Sequence, residues 1–195
     1  MIKSKADLKE YLEADKKNLG RVARRPSLFD TTWKFEIALR NLEYYSNIHS
    51  NPISKFMKLF WRCRHRLLEV ICGFEIPINV FGKGLSIAHS GNIIVNPYAR
   101  IGENCRIHVG VNIGTAAGQE RRVPKIGNNV YIAPGVKIFG DIEIANGIAI
   151  GANAVVCKSF LEENITIAGV PAKQISNKGS KGLMNNYMCQ SGEPC

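Results

Sequence analysis

The sequence predicts a mainly β protein, a parallel β-helix preceded by an α-helical region, on three observations. Aliphatic residues recur every six positions, as Val95, Ile101, Ile107 and Ile113 and then, after one interruption, Ile126, Ile132, Ile138, Ile144, Ile150 and Val156. Four places after each comes another apolar or small residue, namely Ala99, Cys105, Val111, Val130, Val136, Ile142, Ile148 and Ala154. The place directly after the aliphatic is mostly glycine or another small side chain, as in Gly102, Gly114, Gly127, Ala133, Ala145 and Gly151. An α-helix cannot hold sixth neighbours on one face for so long, because each repeat drifts around the cylinder. Short strands separated by tight turns can. Each aliphatic then points into a narrow prism-shaped core, the small residue after it lets the chain bend at a corner, and stacked coils bury a continuous column.

Ahead of the repeats, residues 1–73 read as helices. Leu8, Tyr11, Leu12 and Leu19 fall at helical spacing between Ser4, an N-cap residue type, and Gly20, a natural stop. After Arg24-Arg25-Pro26 a second segment opens near Asp30 and carries Trp33, Ile37, Phe35, Leu39 and Leu42. A third runs from about Ile53 to Gly73, with Phe56, Phe60, Leu67 and Ile71 read as helix-packing residues. Residues 74–175 form the repeat domain, and residues 176–195 a C-terminal tail.

Composition narrows the class. The chain of 195 residues is 45% hydrophobic and 22% charged, an ordinary globular balance. Met1 to Gly20 is rich in Lys, Asp and Glu with no secretory apolar run, and no later stretch reaches the length of a membrane span, so a cytoplasmic location is expected. Six cysteines, Cys63, Cys72, Cys105, Cys157, Cys189 and Cys195, lack C-x-x-C spacing and read as reduced thiols. The formal charge of +10 lies mostly in the N-terminal third and the tail, without aromatic interleaving or a nucleic-acid-binding motif. No nucleic-acid partner is expected, and a polyphosphorylated small molecule suits the excess equally well.

Functional residues belong where a repetitive scaffold departs from its own rule. His89 lies in Ile87-Ala88-His89-Ser90-Gly91-Asn92, just before the register slips between Ile93 and Val95, at a slot whose side chain faces outward from a corner. It reads as a solvated turn histidine or as a catalytic one. His108 stands where the repeat elsewhere has Gly or Ala, about one coil after His89. A structural or substrate-contacting role competes there with a metal pair, and a three-histidine zinc site has too few histidines in the repeats. Thr115 to Val123 interrupts the hexads with a polar, basic segment, either a wall for a cleft or a tolerated insertion.

From about Gly73 to Ile175 these residues also carry a family resemblance. His89-Ser-Gly-Asn-Ile-Ile-Val, Pro124-Lys-Ile-Gly, Ile132-Ala-Pro-Gly, Ile138-Phe-Gly-Asp and Ala168-Gly-Val-Pro-Ala-Lys follow in the order and spacing of the hexapeptide-repeat acyltransferases. Among these the chain resembles the serine acetyltransferases. The resemblance implies a left-handed coil, a homotrimer or a dimer of trimers, and acetyl-CoA as co-substrate with no metal. It implies His89 as general base, oriented by Glu75, and contacts to coenzyme A from Gly114, Ala133, Cys157, Lys158 and Lys173. His108 and Asn92 are the expected acceptor-binding residues. The sequence departs from the family at Ala88 and Val123, where the family has an aspartate and a histidine that help recognise the amino acid. The expected acceptor is L-serine or a similar small hydroxyl compound, and these two departures favour the alternative, a sugar of a surface polysaccharide or an antibiotic hydroxyl. A non-catalytic scaffold is the reading from another class. The chain ends in Cys195 rather than in the family's terminal isoleucine, so a cysteine synthase complex is not expected.

Overall fold

The computed structural model describes residues 1–49, 51–118 and 121–184. Cys189, Cys195, the tail beyond Met184 and residues 119–120 of the interrupting segment lie outside the described residues.

Three helices come first. Helix α1 (Lys5–Asn18) starts on a capping box in which the Ser4 hydroxyl accepts from the Asp7 amide and the Asp7 carboxylate accepts from the Ser4 amide. Helix α2 (Thr31–Asn47) is capped by Asp30, whose carboxylate accepts from the Trp33 amide. Helix α3 (Pro52–Cys72) starts at Asn51 and ends where Gly73 takes the left-handed conformation, φ 74°.

The chain then forms short strands: β1 (Phe74–Glu75), β2 (Ser86–Ile87), β3 (Ile93–Val95), β4 (Arg100–Ile101), β5 (Arg106–Ile107), β6 (Asn112–Gly114) and β7 (Lys125–Ile126). It continues with β8 (Tyr131–Ile132), β9 (Lys137–Phe139), β10 (Glu143–Ile144), β11 (Ala149–Ile150), β12 (Val155–Val156), β13 (Thr166–Ala168) and β14 (Lys173–Ser176). Consecutive strands join three different sheets in rotation. The first sheet runs β1-β3-β6-β9-β12, the second β4-β7-β10, and the third β2-β5-β8-β11-β13-β14. Phe81 and Phe160 extend the second sheet by single bridges. Every pairing is parallel except that of β13 with β14, which turns back on the last coil. The hexad aliphatics fall in register, Ile87 beside Ile107, Ile107 beside Ile132 and Ile132 beside Ile150. All four are essentially fully buried.

The corners refine the sequence reading. The residue after each aliphatic is not where the chain bends: the left-handed conformations sit further on, at Asn104, Asn129 and Asn153 and at Gly84, Gly110, Gly135 and Gly147. Gly102 is small for another reason. A methyl group there would lie 2.7 Å from the carbonyl carbon and oxygen of Gly127 on the next coil, so backbone stacks on backbone.

The helices close the open start of the coil. A first coil has no preceding strand, so its backbone groups need other partners. Asp15 accepts from the amides of Gly84 and Leu85 at 2.7 and 2.9 Å, Glu36 from Ile87 at 2.9 Å, and Glu43 from Asn79 at 2.7 Å. Arg40 donates to the carbonyls of Phe81 and Gly82 at 3.0 and 2.6 Å, and its remaining N–H groups reach Asp15 and Glu43. The Arg40 side chain is fully buried. Burial favours its neutral form, but Asp15 and Glu43 outweigh this and hold the guanidinium charged. Burial first, and Asp15 second, push the Glu36 carboxyl well above its ordinary range.

One expectation fails. Phe56, Phe60, Leu67 and Ile71 do not pack between helices; they are 68, 47, 61 and 56% exposed. The side of α3 turned toward α2 and β1 carries Ser54, His65, Leu68 and Cys72 instead. His65 takes an aromatic place there, its ring 5.0 Å from that of Phe35.

Candidate active site

His89 lies after β2, at the corner between the third and first sheets, and its side chain is exposed. His108 follows β5 and Ala133 follows β8, which puts both on the same corner in successive coils. The His89 and His108 rings are 6.2 Å apart between centroids, and His108 is 5.1 Å from the Tyr131 ring. A line of three rings thus climbs the corner. The expected neighbourhood of His89 and His108 is present, while Tyr131 was not singled out from sequence.

His108 is 9% exposed and its Nε2 has no hydrogen-bond partner. Desolvation first, then Arg106 and His89, lower its pKa from 6.5 to about 4. Near neutral pH it is an uncharged ring with a buried nitrogen free to meet a ligand. The sign of the pH effect follows. Between pH 6.5 and about 4 the unfolded chain binds a proton that folded His108 resists, so this contribution to stability is complete above 6.5 and lost as pH falls. The melting temperature of His108→Phe should therefore decline less steeply than wild type over that interval, and parallel curves would contradict it.

The cavity at His89, about 370 Å³, is walled by the connection from α1 to α2. Arg21, Asp30, Thr31 and Thr32 line it together with Ala88, His89 and Ser90. Arg21 Nε lies 2.9 Å from Asp30 Oδ2, and Asp30 Oδ1 also accepts from Arg21 Nη2 at 3.1 Å. The hydroxyls of Thr31 and Ser90 are 3.1 Å apart and tie the start of α2 to the turn after His89. In the sequence Asp30 only marks where the second helical segment opens; no spacing rule links it to a histidine so far along the chain.

Glu75 sits elsewhere, exposed on the first sheet in register with Ile94. Among the described residues no hydrogen bond joins it to His89. Asn92 is exposed, and its carbonyl accepts from the Gly110 amide at 2.6 Å. The remaining expected positions divide between corners. Gly114 ends β6, and Cys157 and Lys158 follow β12, so these three lie between the first and second sheets, on a different corner from His89. Lys158 holds its ammonium 5.3 Å from the Phe160 ring centroid. Lys173 opens β14 and is exposed. The interrupting segment leaves from this same corner, with Arg121 over the Tyr98 ring at 5.4 Å.

The two buried thiols are poor nucleophiles. Cys72 and Cys105 are buried, and burial pushes the Cys105 thiol up to about 12. Cys63 and Cys157 are free and exposed. Among the described residues no group of three or more His, Cys, Asp or Glu side chains gathers as metal ligands. No helix of the described chain is long and apolar enough to cross a membrane.

Comparison with known proteins points one way. No family model matches the chain. The serine acetyltransferase of Staphylococcus epidermidis (strain RP62A) is 36% identical over 118 residues, covering 60% of this chain and 55% of that protein. The serine acetyltransferase of Staphylococcus aureus (strain Mu50) is 39% identical over 121 residues, covering 60% and 56%. The chain thus spans little more than half the length of these curated relatives. A crystal structure of serine acetyltransferase in complex with coenzyme A, from Brucella abortus strain S19, superposes with a TM-score of 0.66 at 25% identity, covering 90% of this chain and 70% of that one. By sequence and by fold, the chain is similar to serine acetyltransferases.

Proposed function

We propose that this chain is an acetyl-CoA-dependent O-acetyltransferase of the hexapeptide-repeat class, acting in the cytoplasm on L-serine or a similar small hydroxyl acceptor. Its coil is then the left-handed β-helix of that class. The observation that carries the reading is His89, an exposed imidazole at a coil corner in a cavity shared with the Arg21–Asp30 pair. Its imidazole takes the acceptor's hydroxyl proton as the oxygen attacks the thioester carbonyl. Backbone N–H groups at the corners meet the developing oxyanion, and the imidazolium returns its proton to the departing thiolate. Transfer is direct, with no acetylated side chain.

The Arg21–Asp30 pair suits a zwitterion, with guanidinium facing a carboxylate and carboxylate facing an ammonium. It offers amino-acid recognition that Ala88 and Val123 lack. A sugar acceptor is the second reading, favoured by Phe29, 87% exposed beside the hydroxyls of Ser27, Thr31 and Thr32 at the same cavity. Coenzyme A is placed against Gly114, Ala133, Cys157, Lys158 and Lys173. Because those positions occupy different corners of one chain, a cleft that unites them with His89 forms between neighbouring copies, which supports a trimer. The Brucella abortus relative is known in complex with coenzyme A, and this supports the donor.

Incubating the protein with acetyl-CoA and following free thiol across serine, homoserine and sugars tests the reading. Serine or homoserine should release thiol; silence with every acceptor and no coenzyme A binding would leave a scaffold. Two carboxylates are separable in the same assay. Glu75→Gln should lower kcat if it orients His89, whereas Asp30→Asn should chiefly raise the acceptor KM by about tenfold. A variant with unchanged constants removes that residue from the site.

A further inference from the structure

The face of α3 left uncovered in the fold is a continuous stripe. Ile53, Phe56, Phe60 and Leu67 recur at steps of three, four and seven, Val70 and Ile71 follow three and four places after Leu67, and all six are 47 to 76% exposed. Its borders are basic. At about 100° per residue, Lys55, Arg62 and Arg66 project along one edge and Arg64 along the other, and all four are exposed. Arg66 reaches Glu69 at 3.1 Å and Arg64 stacks on Trp61 at 5.9 Å. Among the described residues, Lys55, Arg62 and Arg64 have no carboxylate partner. The one acidic residue of the helix, Glu69, is buried on the opposite side.

This charge pattern selects the occupant. A second copy laid stripe to stripe would set basic borders against basic borders, with no carboxylate to offset them. An anionic lipid surface matches both parts: the apolar side chains enter the acyl boundary, and the long basic stems lift their charged heads to the phosphates. The chain's net charge of +10 adds to the attraction. The helix lies on such a surface rather than crossing it, because its other face is committed to α2 and β1. We propose that α3 is an interfacial helix that seats the protein on membranes rich in anionic phospholipid.

Sedimentation of the full chain with phosphatidylcholine vesicles, with and without phosphatidylglycerol, tests this. Binding should be at least tenfold stronger to the anionic vesicles and should weaken as salt is raised. Phe56→Ser with Phe60→Ser should abolish it, and Arg62→Glu with Arg64→Glu should remove the preference for anionic lipid. All four positions are exposed, so the variants should melt as wild type does. No binding to either vesicle, equal binding to both, or binding unchanged in the variants overturns the proposal. So does a phenylalanine variant that merely halves the mass of the assembly in light scattering, which would assign the stripe to a second copy.

Discussion

His89→Ala is expected to lower turnover by about two to four orders of magnitude while affinity for coenzyme A stays within a few-fold of wild type. Among the described residues, the imidazole is the only titratable ring that is both exposed at the corner and within the cavity at the start of α2. Its neighbour cannot substitute. His108 is buried and protonates only near pH 4, so it is a poor carrier of the acceptor's proton at neutral pH. Because most of the donor positions, Gly114, Cys157, Lys158 and Lys173, are assigned to other parts of the coil, removing the ring should leave nucleotide binding largely intact. Thiol release with the best acceptor, alongside calorimetric titration of coenzyme A, separates the two effects. A variant that keeps more than a tenth of the wild-type rate would remove His89 from the mechanism.

Arg40→Ala is expected to cost about 3–5 kcal/mol of folding stability, because it strands buried carboxylates. Arg40 touches Asp15 at 2.7 Å and Glu43 at 3.0 Å and closes two carbonyls of the first coil. Without it, Asp15 and Glu43 face each other's field in a water-excluded layer, and the carbonyls of Phe81 and Gly82 lose their donor. Arg40→Met restores volume but not charge and should fare little better. Adding Asp15→Asn and Glu43→Gln to Arg40→Met should recover part of the loss, since neutral amides tolerate burial better. Urea unfolding of the three proteins measures this, and a loss below about 1 kcal/mol for Arg40→Ala would show that water replaces the guanidinium.

The coil was legible because its period is local: an isoleucine every sixth place needs no knowledge of distant partners, and Ile107, Ile132 and Ile150 stack as that period demands. Helix starts at Ser4 and Asp30 and the stop at Gly73 were legible for the same reason, since a cap acts within four residues. The polar layer was not. Asp15, Glu36, Arg40 and Glu43 look like ordinary solvated charges on helices, and their partners are backbone groups of a coil that begins much later. The reading of α3 went wrong in the opposite direction. Its apolar spacing is real, but spacing reports that a face is apolar, not which neighbour covers it. At the site, His89 and His108 stood out as breaks in a repeat. Tyr131 did not, because an outward strand position accepts almost any side chain and the interruption after Gly114 hides which coil it will sit above. Asp30 was masked by its own second role as a cap.

The antiparallel return of β14 has a consequence for how this protein behaves in a crowded solution. Parallel coils are templates: a bare terminal rung would offer its row of amides and carbonyls to the next molecule and seed end-to-end fibres. Here one end of the stack is covered by side chains from α1 and α2, and at the other end the third sheet is closed by a reversed strand whose direction breaks the pattern. Growth along the axis is therefore hindered at the helix-covered start and, at the other end, along the sheet that β14 closes, which steers association toward the flanks of the prism.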